Sequence, residues 1–313
     1  MARTSSRIAA GAGAAVAALL ANGRLVRGET RPAHVEPGGR LVATPGGEVH
    51  VREDGHPANP AMVLLHGFAG SAHWFDRLAP LLARDHRVIR VDLIGHGASA
   101  KPAAGYAIDD QADAVDAVLD RLGIGSAVLL GHSFGAAVAV ALAGRTTLLV
   151  ERLVLLDEGP DNGFGDQPLM TRLGFAPIVG ELMHRLAFDP LVRDGYRDAF
   201  AEDFDLAQGF DDPDQVVRDF RNMTYTSYAE SWAAEDAFLA ERRLDQRLRE
   251  LELPATVVFG EHDRFFHAEP SAAAFRALPR TRVELMPGVG HSPNVERPAE
   301  VARLALEPVL AAA

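Results

Sequence analysis

Short apolar runs alternating with stretches of helical periodicity constrain this chain more than any other feature. Residues 61–65 (AMVLL) are continuously apolar and end at His66 and Gly67, the pattern of a strand buried on both faces. Residues 72–85 then place Trp74, Phe75, Leu78, Leu81 and Leu82 at helical spacing. The pattern repeats through a strand at 86–93, a helix at 109–122, a strand at 127–130, an alanine-rich helix to about Leu148 and a strand at 153–156. Such alternation predicts a parallel, doubly wound α/β sheet with helices on both faces. Ahead of it, residues 40–44 and 48–53 flank Pro45, Gly46 and Gly47, as in an opening hairpin. From 160 to 244 only helical patterns appear. Strands return at 255–259 and 282–286, with helices at 271–278 and from about Pro298.

Length and composition bound the rest. The 313 residues are 48% hydrophobic and 24% charged, enough for one large α/β domain with an insertion. A net charge of −12 repels phosphate and argues against a nucleic-acid partner. The absence of cysteine removes disulfides, thiolate nucleophiles and thiolate metal sites. The twelve histidines show no metal-ligand spacing, so no metal is expected. Lys101 is the sole lysine.

Residues 1–35 read as an N-terminal extension. Arg3 and Arg7 precede an apolar run at 8–21, and Arg24, Arg27 and Arg31 follow it. That order matches an export signal or a membrane association through residues 1–30. The run falls short of the ~20 residues that span a bilayer. The competing reading is a loose extension on a cytoplasmic protein, and the two stay open.

The chemistry centres on Gly131–His132–Ser133–Phe134–Gly135, a G-x-S-x-G between a buried strand and a helix. In that context Ser133 occupies a sharp turn that exposes its hydroxyl above the sheet edge. Serine needs a base, and the base an orienting acid. His291 follows the last strand and Asp263 the preceding one, giving the chain order serine, acid, histidine. Taken singly, His291 reads equally as a loop histidine and Asp263 as a helix N-cap; together with Ser133 they form a candidate triad. The Phe68 amide, in His66–Gly67–Phe68–Ala69–Gly70, and the Phe134 amide are the candidate oxyanion donors.

The segments 66–70, 92–99 (DLIGHGAS), 131–135, 260–263 and 290–291 together resemble the α/β-hydrolase superfamily, specifically its capped serine branch. The resemblance covers roughly residues 40–313. It implies an eight-stranded, mostly parallel core at 36–159 and 245–313, with 160–244 as a helical cap over the site. It assigns a bracing role to Asp92, Gly95, His96 and Gly97, and packing roles to His66 and His132. It also offers Asp157 as an alternative position for the acid, and prefers Asp263 to its neighbour Glu261. Serine at 133, where related epoxide hydrolases and dehalogenases carry aspartate, points to acyl chemistry without a cofactor.

A medium-sized, mostly apolar ester or lactone is the substrate expected of a cap rich in apolar residues. Trp232, Tyr228, Met223 and Phe164 are the candidate pocket residues, and Phe175, Met183, Leu169 and Met170 belong to the same apolar set. Perhydrolysis or C–C bond cleavage on the same triad is the alternative. Ser292, where C–C hydrolases commonly carry an aromatic residue, weighs against the latter. A ligand receptor on a hydrolase scaffold is the reading from outside enzymology. Oligomeric state is not legible.

Overall fold

Pro45 and Gly46 join β1 (Gly39–Thr44) to β2 (Gly47–Asp54) in an antiparallel hairpin whose register pairs Thr44 with Gly47. The computed structural model describes residues 22–26, 28–166, 173–176 and 178–309. The hairpin edges an eight-stranded sheet completed by β3 (Ala61–Leu65), β4 (Arg87–Val91), β5 (Ser126–His132), β6 (Leu149–Leu156), β7 (Ala255–Gly260) and β8 (Thr281–Met286). The order is β1-β2-β4-β3-β5-β6-β7-β8, and every pairing from β4 to β8 is parallel.

The twofold period of a strand divides its apolar residues between two cores. Val63, Leu65, Leu129 and Val257 point to the face covered by α1 (Ile108–Arg121), α2 (Phe134–Ala143) and α8 (Ala268–Arg276). Met62, Leu64, Leu130 and Val258 point to the other face, against Phe75, Leu78 and Leu82 and against Val301 and Leu304 of α9 (Pro298–Leu306). Each such side chain taken fully from water contributes about 1.5–3 kcal/mol. This is why the central strands read as unbroken apolar runs.

Between β6 and β7 the chain is helical among the described residues. Its longer helices are α3 (Val179–Leu186), α4 (Asp189–Gly195), α5 (Gln215–Asn222), α6 (Tyr225–Glu241) and α7 (Leu244–Leu251). The last of these packs on α2 of the core, while the others form an insert. A third apolar cluster joins insert to core: Val192, Phe200, Phe210, Val216 and Val217 close around Trp74 and Val295. The Trp74 indole N–H donates to Asp219 of α5 at 2.8 Å across that seam.

The described part of the N-terminal extension is not loose. Asn22 donates to both carboxylate oxygens of Glu181 in α3, and Thr226 of α6 donates to the Val26 carbonyl. Arg31 bridges to Lys101 through paired backbone hydrogen bonds, and its guanidinium reaches the Arg221 carbonyl. Residues 22–26 and 28–34 therefore strap insert to core. The apolar run at 8–21 lies outside the described residues. Among the described residues no helix is long and apolar enough to cross a membrane.

Lys101 is itself buried. Its ammonium donates to the carbonyls of His96, Gly97 and Ser99, organising the turn after β4. Asp92 anchors that turn from below, accepting from the Ala72 and Ala98 amides and from His50, and these donors hold its carboxyl below the usual carboxylate range despite burial.

Candidate active site

β5 delivers the chain into the sheet centre, and the turn at its end is sharp. Ser133 has φ 48° and ψ −124°, a conformation that costs a non-glycine residue on the order of 1–3 kcal/mol. Its amide donates to the Leu156 carbonyl at 2.8 Å, fixing the elbow to β6. The flanking glycines are required by space. A Cβ on Gly131 would stand 2.3 Å from the Gly135 carbonyl oxygen, and one on Gly135 would stand 2.2 Å from the Leu65 carbonyl oxygen. Phe134 opens α2, so its N–H faces the turn with no helical acceptor. The partial positive charge of the helix end lies beneath the Ser133 hydroxyl.

Phe68 sits on the opposite loop. Tyr196 from the insert donates to the Ala69 carbonyl at 2.8 Å and holds that loop. Among the described residues neither the Phe68 nor the Phe134 amide has a hydrogen-bond acceptor. His66 accepts from the Leu93 amide through Nε2 and so donates from Nδ1 to the Gly67 carbonyl. Burial lowers its pKa and keeps it neutral.

His291 is held from all sides. Its Nδ1 lies 2.9 Å from Asp263 Oδ2, and the other Asp263 oxygen accepts the amides of Phe265 and Phe266. His132 donates from Nε2 to the His291 carbonyl at 2.7 Å. Glu296 accepts the Gly290 and Ala201 amides, and Asn294 donates to the Trp74 carbonyl. The Phe265 ring stands edge-on to the imidazole at 4.8 Å. The bond to Nδ1 leaves Nε2 as the nitrogen for proton transfer.

Asp157, the alternative acid, stands behind this pair and is not bonded to His291. It follows β6 with φ 47°, and its Oδ1 accepts the Gly260 amide at 2.7 Å. Burial and the adjoining Asp263 carboxyl push Asp157 well above the usual carboxylate range. The same two causes favour its protonated form. Asp157, Asp263 and His291 offer ligand atoms within 4.8 Å of one another, a spacing a metal ion would accept and one that the spacing of histidines along the chain does not predict. Each of the three is already engaged by the hydrogen bonds just described.

A second acid pair escaped the sequence reading. Glu158 is 1% exposed, and burial with the nearby Glu235 carboxyl raises its pKa well above normal. Burial raises Glu235 of α6 to about 8. The adjacency of Asp157 and Glu158 at the end of a buried strand was the available signal. The partner from α6, 77 positions further along, had none.

Ser133, His291, Phe68 and Glu235 open onto one cavity of about 740 Å³. Its far wall is aromatic: Phe175 stacks on Trp232 at 4.5 Å and on Tyr228 at 5.0 Å, and Phe68 meets Trp232 edge-on at 5.5 Å. Burial holds two of the lining histidines neutral, His132 at about 3 and His184 at about 4. Trp232 and Tyr228 thus lie where expected. Met223 and Phe164 do not. Met223 is fully buried at the end of α5, inside the insert, and the Phe164 ring packs under the Arg243 guanidinium at 4.9 Å. Apolar side chains in the insert either line the cavity or pack the helices, and periodicity does not separate the two. Leu169 and Met170 lie outside the described residues.

A sequence model of the alpha/beta hydrolase fold matches residues 60–298. The chain is 27% identical over 273 residues to a protein of Bacillus subtilis named as a putative 2-succinyl-6-hydroxy-2,4-cyclohexadiene-1-carboxylate synthase, covering 82% of this chain and 93% of that one. Among solved structures, a putative aryl esterase from Burkholderia cenocepacia superposes with TM-score 0.71 at 23% identity, covering 85% of this chain and 95% of that one. The enol-lactonase from Burkholderia xenovorans LB400 superposes with TM-score 0.69 at 23% identity, covering 84% and 97%. The long sequence match and the eight-stranded sheet agree, and the chain belongs to the α/β-hydrolase family.

Proposed function

We propose that the protein is a serine hydrolase that cleaves a small, mostly apolar carboxylic ester or lactone through an acyl-enzyme. The observation that carries this reading is the placement of Ser133 and the Asp263-bonded His291 on the floor of one cavity in which burial keeps His132 and His184 uncharged. A neutral, aromatic-walled cavity favours an uncharged acyl substrate over an anion.

In this mechanism Ser133 Oγ attacks the carbonyl carbon while His291 Nε2 takes its proton. Asp263 fixes the imidazole and stabilises the imidazolium that forms. The free amides of Phe68 and Phe134 receive the oxyanion, and each such donor is worth roughly 10²–10³ in rate. The proton passes from His291 to the leaving alcohol. Water then enters by the same route and releases the acid. The insert serves as the cap over this site, with residues 160–244 supplying the aromatic wall.

The test is labelling with a fluorophosphonate followed by turnover of p-nitrophenyl esters of increasing chain length. Wild type should label and turn over, and Ser133→Ala should do neither. Labelling that survives Ser133→Ala, or wild type that never labels, would sink the proposal.

A further inference from the structure

The insert carries an apolar patch that stays exposed among the described residues. Ile178, Leu182 and Leu186 recur at intervals of four along α3, with Val179 and Met183 beside them, so they form one exposed stripe. Phe188 and Leu191 extend it over the following turn. These seven account for most of the large apolar side chains exposed anywhere among the described residues. Leu186 is 74% exposed and Phe188 62%. Isolated exposed leucines need no explanation, but a contiguous stripe does.

Two further observations say what meets it. First, Val179, Leu182, Met183, Leu186 and Leu191 also line the catalytic cavity, so the stripe is the rim of its mouth. Second, the N-terminal strap enters the molecule beside the same helix. Asn22 is bonded to Glu181 of α3, Val26 is buried against α6, and Leu25 between them is 74% exposed. The residues ahead of Asn22 contain the apolar run at 8–21, preceded by Arg3 and Arg7. That run is too short to span a bilayer, but an apolar segment with flanking basic residues suits burial at a lipid surface.

We propose that the α3 stripe and Leu25 seat the protein on a lipid bilayer, with the cavity mouth turned to the membrane. An apolar ester held in the bilayer then reaches Ser133 without crossing water. The docking itself does not depend on the catalytic reading, although the substrate route rests on it.

The experiment is co-sedimentation of the full chain with vesicles of phosphatidylcholine containing one-fifth phosphatidylglycerol. Wild type and Ser133→Ala should bind alike, so a failed catalytic assignment and a failed docking assignment are read separately. The double variant Leu25→Asp/Phe188→Asp, neither of whose residues lines the cavity, should lose about ten-fold or more of the binding. Its turnover of soluble p-nitrophenyl acetate should stay at the wild-type level, which reports an intact fold. Wild type that stays in solution would overturn the proposal, as would a double variant that binds as well as wild type. A wild-type dimer that the double variant splits, without vesicle binding by either, would assign the patch to a second copy of the chain instead.

Discussion

The floor and the wall of the cavity are held in place by different means. On the floor each group proposed to react is tied to backbone: Ser133 to Leu156, Asp263 to two amides, the His291 loop to Glu296 and His132. On the wall, Phe175, Trp232 and Tyr228 rest on one another as stacked plates. Directional bonds fix positions to fractions of an ångström, which bond-making requires. Stacked plates define volume and polarity while leaving room to adjust. The difference implies that floor changes act on kcat by orders of magnitude, whereas wall changes act on KM and on substrate choice.

The sharpest way to break this contrast is Asp263→Asn. Loss of the carboxylate that orients His291 should lower kcat by about 10³–10⁴-fold with little change in KM, read by steady-state kinetics on p-nitrophenyl butyrate. A wall change should look different. Trp232→Ala removes one stacked plate and should raise KM for aryl or longer-chain esters by roughly ten-fold, with kcat for acetate within a few-fold of wild type. A collapse of kcat in that variant would erase the distinction between floor and wall.

Asp157→Asn sharpens the floor itself. Because burial and the Asp263 carboxyl favour the neutral form of Asp157, asparagine is a close stand-in and preserves the acceptor for Gly260. Activity should fall by less than about ten-fold. Loss of several orders of magnitude, with Asp263→Asn still active, would transfer the acid role to Asp157.

The smallest effect concerns the Glu158–Glu235 pair at the junction of floor and wall. Both carboxyls have folded pKa values above their unfolded ones, so the stability they favour is complete below about pH 4.5 and is lost as pH rises through about 8. Glu158→Gln removes the need to bury a charge above that range. Its melting temperature should exceed wild type by about 2–4 °C at pH 9 and match it near pH 5. Asp219, raised to about 7 by burial, titrates in the same window in both proteins and cancels in the difference. Equal melting curves at both pH values would show that the pair does not titrate with folding.

How much of this was legible follows from the range of each cause. The parallel core could be read because strands buried on both faces are apolar at nearly every position, as in residues 61–65 and 255–260, where Thr256 is the one polar side chain. The elbow could be read because glycine is demanded two residues either side of Ser133 by contacts with nearby backbone. The preference of Asp157 for its protonated form could not, since it depends on β6 and β7 ending side by side. The same holds for Glu235, which meets Glu158 only when α6 folds back over the sheet. In the insert, Phe175 and Met223 carry equal hydrophobic signals, and only the packing sends one to the cavity and the other inward.

Burial of Lys101 has a consequence for the molecule as a charged particle. With the chain's single lysine enclosed by three carbonyls and drawn down to about 8, the cationic side chains that stay charged well above neutrality are the guanidiniums and His73, which Asp76 and Glu36 raise to about 10. Ordinary surfaces shed their ammonium charges between roughly pH 9 and 11, but guanidinium does not titrate there. The electrophoretic mobility of this protein should therefore stay nearly level across that alkaline range, where lysine-rich proteins of similar pI grow steeply more anionic.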